Sequence, residues 1–107
     1  LVLGVAYKRD VGDTRESPAL DVMRLLADRG ACLSYNDPHV AALDLGMQTL
    51  KSVDLTQAVL EAADCVVVVT DHSAYDWAWI AGHAPLIVDT RNALKGVQQP
   101  KAVIVKL

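Results

Sequence analysis

The chain has 107 residues, a formal net charge of −3 and a hydrophobic fraction of 52%, with two Trp, three Tyr and no Phe. That length makes one domain whose core must be aliphatic, a composition suited to a parallel sheet covered by helices. The same numbers exclude a broad electropositive nucleic-acid face and a membrane span. The two cysteines, Cys32 and Cys65, form neither a disulfide framework nor a zinc pattern.

The apolar run Leu1–Ala6 predicts a first strand, with Gly4 placed to let a neighbouring backbone approach closely. Because the chain opens without Met and already inside this strand, it is expected to be a domain of a longer polypeptide. Ser17 and Pro18 then open a helix as N-cap and first helical residue. Ala19, Val22, Met23 and Leu26 recur at i, i+3, i+4 and i+7 on its buried face. The helix is expected to run to about Arg29 and stop at Gly30 in a left-handed cap.

Ala31–Tyr35 reads as a second strand, closed by the turn cluster Asn36-Asp37-Pro38. His39–Met47 is open, with a short helical turn as one reading. Gln48–Val53 reads as a short edge strand. Asp54 and Gln57 have capping-box spacing, so a short helix is expected through Ala63. Cys65–Thr70 has the composition of a central strand. A helix over Tyr75–Ala81 and strands over Pro85–Asp89 and Ala102–Leu107 complete the pattern. Both cysteines fall inside predicted strands and are expected to be buried, inert thiols of a reducing cytoplasm.

Strands and helices in alternation define an α/β fold, a Rossmann-like open, mostly parallel sheet with helices on both faces in three layers, over residues 1–107. The dinucleotide fingerprint is missing. No GxGxxG follows the first strand and no GxxxxGK[ST] occurs, so the chain has no recognisable pyrophosphate cradle.

The segment Tyr7–Pro18, YKRDVGDTRESP, is longer than an ordinary strand-to-helix connection and carries Lys8, Arg9 and Arg15. It lies beyond the carboxyl end of a strand, where open α/β sheets bind ligands, and its cations point to an anionic one. Lys8 reads equally as a phosphate contact and as a solvated lysine. Arg15 reads as a ligand contact or as a surface partner of Asp13 or Glu16. Arg91, after the strand Leu86–Val88, belongs to the same edge as Lys8, and its guanidinium fork suits a diphosphate or sugar hydroxyls. Tyr7 either lines a nucleotide or packs in the core. Asp10, Asp13 and Glu16 lack the spacing of a metal loop and are expected to hold the segment by pairing with Arg9 and Arg15. Asp71-His72-Ser73 cannot form a relay, because consecutive side chains do not converge. His72 is expected in a loop near the cleft, with His39 and His83 solvated. Trp77 and Trp79, two apart, are expected to face different ways.

Four blocks together carry a resemblance: GVAYKRDVGDTRESPAL, YNDPHV, AADCVVVVTDHSAYD and IVDTRNAL, in this order over nearly the whole chain. They resemble the C-terminal, UDP-binding domain of the UDP-glucose and UDP-N-acetylhexosamine 6-dehydrogenase family. The resemblance implies oxidation of the C6 alcohol of a UDP-sugar to the uronate, with two hydride transfers to NAD and covalent intermediates on a cysteine. That cysteine belongs to a segment outside this domain, so no catalytic residue and no metal is expected here and the isolated chain is expected to be inactive. Lys8, Arg91 and Tyr7 take substrate-binding roles by the resemblance, and Arg15 reaches the cofactor. NAD would be held mainly by an N-terminal domain of the full-length protein, a cytoplasmic homo-oligomer. Asn92 departs from the double arginine of the animal UDP-glucose enzymes, and DTRNA resembles the bacterial UDP-N-acetylhexosamine enzymes.

Two other readings compete. One is a free-standing, non-catalytic nucleotide-binding α/β module. The other, a receiver domain, needs an acidic pair after the first strand, where this chain has Ala-Tyr-Lys.

Overall fold

Alternation along the valine run decides how the sheet is covered. Val66 and Val68 belong to one buried cluster, whereas Val67 and Val69 pack with the other, as the two-residue period of a strand buried on both faces requires. The computed structural model describes all 107 residues. In chain order the elements are β1 (Val2–Leu3), α1 (Pro18–Asp28), β2 (Tyr35–Asn36), β3 (Ala42–Asp44), β4 (Thr49–Lys51), α2 (Gln57–Ala62), β5 (Val66–Val68), α3 (Trp77–His83), β6 (Leu86–Asp89) and β7 (Val103–Lys106).

Five strands form one sheet in the order β2-β1-β5-β6-β7, and every pairing in it is parallel. β1 thus lies between its successor β2 and β5, and the chain winds outward in both directions from this point. Such a reversal opens a crevice beyond the carboxyl ends of the two central strands. On one face, Ala19 and Met23 of α1 pack against Val2, Val5, Tyr35 and Val69. On the other, Leu60 of α2 and Ile80 and Ala81 of α3 pack against Leu3, Val66, Val68 and Ile87. The edge strand β7 leaves Val103 and Val105 exposed. No helix is long and apolar enough to cross a membrane.

The α1 boundaries follow the expected chemistry. The Ser17 side chain accepts from the amide of Ala19. At the other end, Gly30 donates to Ala27 and Ala31 donates to Leu26, a Schellman closure that uses the left-handed φ of +90° at Gly30. Gly4 also behaves as expected. Its φ is +81°, and a Cβ there would fall 2.2 Å from the Thr70 carbonyl oxygen.

Four expectations need correction. The second strand is Tyr35–Asn36 rather than Ala31–Tyr35, because the register pairs Val2 with Tyr35 and leaves Ala31–Leu33 past the paired part of β1. Residues 42–44 form a strand, not a helical turn, and pair antiparallel with β4 in a separate two-stranded ribbon. Leu43 and Leu45 are buried there, with the exposed Asp44 between them, so the alternation was present in the sequence but short. The α2 cap is Thr56, whose hydroxyl accepts from the Val59 amide, and not Asp54. Cys32 is exposed and Cys65 partly so, since both sit at the amino end of the sheet, outside the strands.

Candidate functional site at the carboxyl edge of the sheet

Asp37, directly after β2, is buried and saturated. Its Oδ2 accepts from the Val5 and Ala6 amides at 2.8 and 3.1 Å, and its Oδ1 from the His39 amide at 2.8 Å. His72 Nε2 lies 2.8 Å from the same Oδ2. The other ring nitrogen, Nδ1, accepts from the Asp10 amide at 2.8 Å. An accepting Nδ1 requires the proton on Nε2, so His72 is the neutral tautomer that donates to Asp37. His72 is thus a loop residue beside the cleft, as expected, between Asp71 and Ser73 of its wall, and it is fully buried.

Further contacts join the loops after β1, β2 and β5. Thr70 Oγ1 donates to the Ala6 carbonyl at 2.6 Å, and the Tyr75 hydroxyl donates to Asn36 at 2.8 Å. Burial, reinforced by the negative Asp37, raises the Tyr75 hydroxyl pKa, so this side chain stays a donor. Asp10 holds a left-handed φ of 63° while its carboxylate accepts from the Ser73 amide and hydroxyl at 2.8 and 2.6 Å. Those bonds, the hydroxyl's first, lower its pKa.

The cations divide between fixed and free. Arg9 pairs with Asp71 across the β1 and β5 loops. Arg15 is clasped by Asp13, Nε to Oδ1 at 3.1 Å and Nη2 to Oδ2 at 2.9 Å, which bears out one of the expected pairings. Arg9 was expected to pair within its own loop, and Glu16 makes no ion pair. Arg91 is anchored at both ends. Its amide donates to Asp89 Oδ1 at 3.0 Å and its Nε to the Val69 carbonyl at 2.8 Å. Asp89, fully buried, also accepts from the Ala93 and Leu94 amides, so one carboxylate shapes the loop that presents Arg91. Lys8 is exposed, with Nζ 5.6 Å from the Tyr7 ring centre. Tyr7 is 42% exposed and is no core residue, and its amide closes the loop on the Asp13 carbonyl.

A cleft of about 370 Å³ opens at this edge. It is lined by Arg9, Asp71, Trp77, Arg91 and Lys95, with Ser73, Asn92 and Ala93 between them. Lys8 is not part of its wall. A cavity of about 690 Å³ lies at the opposite end of the sheet, lined largely by apolar residues together with both cysteines. The cations Arg9, Arg91 and Lys95 gather at the carboxyl edge, and the polar chemistry belongs there. Asp10, His39 and His72 come close enough to share an ion, yet both His72 nitrogens are already committed, so a ligand bond would have to displace the Asp10 amide. Trp77 and Trp79 both pack at the rim of the α2–α3 core, Trp77 against Tyr75 and Trp79 against His83.

Sequence reasoning missed Asp37, His72 and Asp89 as organisers of the site. The available signal was position: Asp37 and Asp89 each stand at the end of a strand, before a turn with free amides to satisfy.

The fold and this edge define a nucleotide-binding type of α/β domain, with ligand-facing loops at a topological switch point. Residues 1–96 match the model of the UDP-glucose/GDP-mannose dehydrogenase family, UDP binding domain, and the chain belongs to that family. It is 38% identical over 74 residues to the UDP-N-acetyl-D-mannosamine dehydrogenase of Methanococcus maripaludis, covering 69% of this chain and 16% of that protein. It is 32% identical over 104 residues to the UDP-glucose 6-dehydrogenase of Rickettsia bellii, covering 88% and 24%. Among solved structures, it superposes on the UDP-N-acetyl-mannosamine dehydrogenase of S. aureus with a TM-score of 0.75, at 27% identity, covering 98% of this chain and 25% of that one. The corresponding enzyme of Pyrococcus horikoshii gives a TM-score of 0.72 at 28% identity, with 98% and 24% covered. The chain thus spans about a quarter or less of these relatives.

Proposed function

We propose that this chain is the UDP-sugar-holding part of an NAD-dependent, cytoplasmic UDP-sugar 6-dehydrogenase, working with an N-terminal NAD-binding domain in a homo-oligomer. The observation that carries the reading is the match of residues 1–96 to the UDP binding domain of that family. Relatives that are dehydrogenases, each matched along one part of its length, favour it over a free-standing binding module.

Lys8, Arg91 and Tyr7 contact the UDP-sugar in this reading, and Arg15 reaches the cofactor. The anchored Nε of Arg91 supports its role, since a guanidinium fixed through one nitrogen presents the others with little entropy left to lose. Arg15 fits a cofactor contact less tightly, because Asp13 holds Nε and Nη2 and leaves only Nη1 unengaged. The substrate is an N-acetylhexosamine nucleotide or UDP-glucose, and DTRNA favours the former.

The test is a ligand titration of the full-length enzyme. A lost charge-assisted contact costs about 1.5–3 kcal/mol, or roughly ten- to a hundred-fold in affinity. Lys8→Ala and Arg91→Ala should weaken UDP-sugar binding by that order and leave NAD affinity nearly unchanged, with the reverse for Arg15→Ala. Equal losses for both ligands in all three variants would show these residues to be structural.

A further inference from the structure

We propose that the cleft walled by Arg9, Arg91 and Lys95 is a diphosphate site in which Arg9 is paired with Asp71 until the ligand displaces that carboxylate. None of Arg9, Asp71 and Lys95 belongs to the set of contacts proposed above. The choice of a sugar nucleotide as the diphosphate's carrier rests on that reading; the site itself does not.

Three observations carry the inference. The cleft wall holds three cations and one carboxylate, an excess of two positive charges that matches the charge of a diphosphate diester. The cations come from different elements: Arg9 from the loop after β1, Arg91 and Lys95 from the loop after β6. The carboxylate comes from the loop after β5, so the group sits across the switch point rather than on one solvated helix face. Their states also differ in a useful way. Arg91 is pre-positioned by Val69 and Asp89, and Lys95 makes no ion pair. Arg9 is 60% exposed at its side chain while its partner Asp71 is only 17% exposed.

An exposed guanidinium paired with a carboxylate contributes little to folding, because water screens the pair. Arg9 is therefore free to change partners, at the cost of leaving the mostly buried Asp71 without its cation. Asp71 engages Arg9 through Nη2 alone, whereas two non-bridging oxygens of one phosphoryl group can accept from two guanidinium nitrogens together. Arg9 can turn from one to the other, while Asp71, left in the wall, repels the anion and sets a limit on affinity. The indole of Trp77 supplies an apolar wall beside the charges.

Sugar nucleotide and NAD share the diphosphate diester, so the experiment separates them. The protein is titrated first with inorganic pyrophosphate at low salt, by calorimetry. Arg9→Gln, Arg91→Gln and Lys95→Gln should each weaken binding roughly three- to tenfold. Asp71→Asn should tighten it by a similar factor, because it removes the competing carboxylate. Lys51→Gln, an equal loss of charge on the distant β4 ribbon, should change nothing. No measurable pyrophosphate binding, weakening by Asp71→Asn, or equal losses for Lys51→Gln and Lys95→Gln would each overturn the site.

UDP-glucose and NAD are then titrated against the same variants in the full-length enzyme. The pattern appearing with UDP-glucose supports the sugar nucleotide as the occupant. The pattern appearing with NAD instead keeps the diphosphate site and refutes its assignment to the sugar nucleotide. UDP-glucose binding that depends on Lys8 and Arg91 but is indifferent to Arg9, Asp71 and Lys95 refutes the site and leaves the proposed function intact.

Discussion

Nε2 of His72 stands 2.8 Å from Oδ2 of Asp37, and neither side chain has any solvent exposure. Two loops meet through that contact, one after β2 and one after β5, and through Nδ1 it also fixes the amide of Asp10 in the loop after β1. The cleft draws Arg9 and Asp71 from two of those loops, after β1 and β5, and Arg91 and Lys95 from the loop after β6. The hydrogen-bonded pair is thus a positioning device whose effect on ligands is indirect.

Removing the imidazole leaves a buried carboxylate short of a donor and a backbone amide without an acceptor. Bonds of this kind to a charged group are worth about 1.5–3 kcal/mol. His72→Ala should therefore lower stability by about that amount, and a domain of this size loses about 4–8 °C of Tm per kcal/mol. Thermal unfolding followed by circular dichroism checks this, and an unchanged Tm would show that the pair is dispensable.

Gly4 and Gly82 should respond to alanine in opposite directions. At Gly4 the φ is +81° and the new Cβ would meet the Thr70 carbonyl at 2.2 Å, backbone that cannot turn away. Left-handed strain and overpacking together cost on the order of 2–4 kcal/mol. Gly82 lies within α3 with nothing near its Cβ position, and alanine there should stabilise by about 0.5–1 kcal/mol. Denaturant midpoints of the two variants provide the comparison. A neutral Gly4→Ala would mean that β1 and the Thr70 loop are not held together as described.

Much of this architecture could be read from local pattern. The valine run of β5, the Ser17-Pro18 start and Gly30 stop of α1, and Gly4 all follow from rules that act within a few residues. What escaped depends on partners distant in sequence. Ala31–Leu33 look like strand, yet pairing decides, and their register carries them past β1. His72 looks like a polar loop residue because its burial comes from Asp37, 35 positions away. β3 was hidden by its length of three residues, whereas its partner β4 falls inside the expected strand Gln48–Val53. Arg9 looked like the partner of its own loop, whereas Asp71 is 62 residues distant.

The clasp between Asp13 and Arg15 should be visible in a pH titration. Hydrogen bonds from the Arg15 side chain, and then from its amide, hold the Asp13 carboxyl down to about 2, against an ordinary value of 3.8. A carboxyl lowered in the folded state stabilises fully above its unfolded pKa, and that contribution is lost as the pH falls through the folded pKa. The clasp should therefore be intact above pH 3.8 and release toward about pH 2. Carboxyl NMR shifts of Asp13 give its midpoint directly. Arg15→Ala should return that midpoint toward 3.8, and a midpoint already at 3.8 in the unaltered protein would mean that the clasp does not form in solution.

The thiols should be chemically available yet irrelevant to the ligand site. Cys32 is exposed and Cys65 half-buried, and both line the apolar cavity at the amino end of the sheet, across the domain from Arg9, Arg91 and Lys95. Access governs alkylation when two thiols share one apolar surround, so iodoacetamide should label Cys32 before Cys65. Mass spectrometry after timed quenching resolves the order. The labelled and unlabelled protein should bind pyrophosphate equally. Neither should generate NADH from a UDP-sugar and NAD, because the 107 residues hold no dinucleotide fingerprint and neither thiol stands near the cations. Turnover that disappears with Cys32→Ser or Cys65→Ser would place the chemistry on this domain and refute its role as the binding half of a larger enzyme.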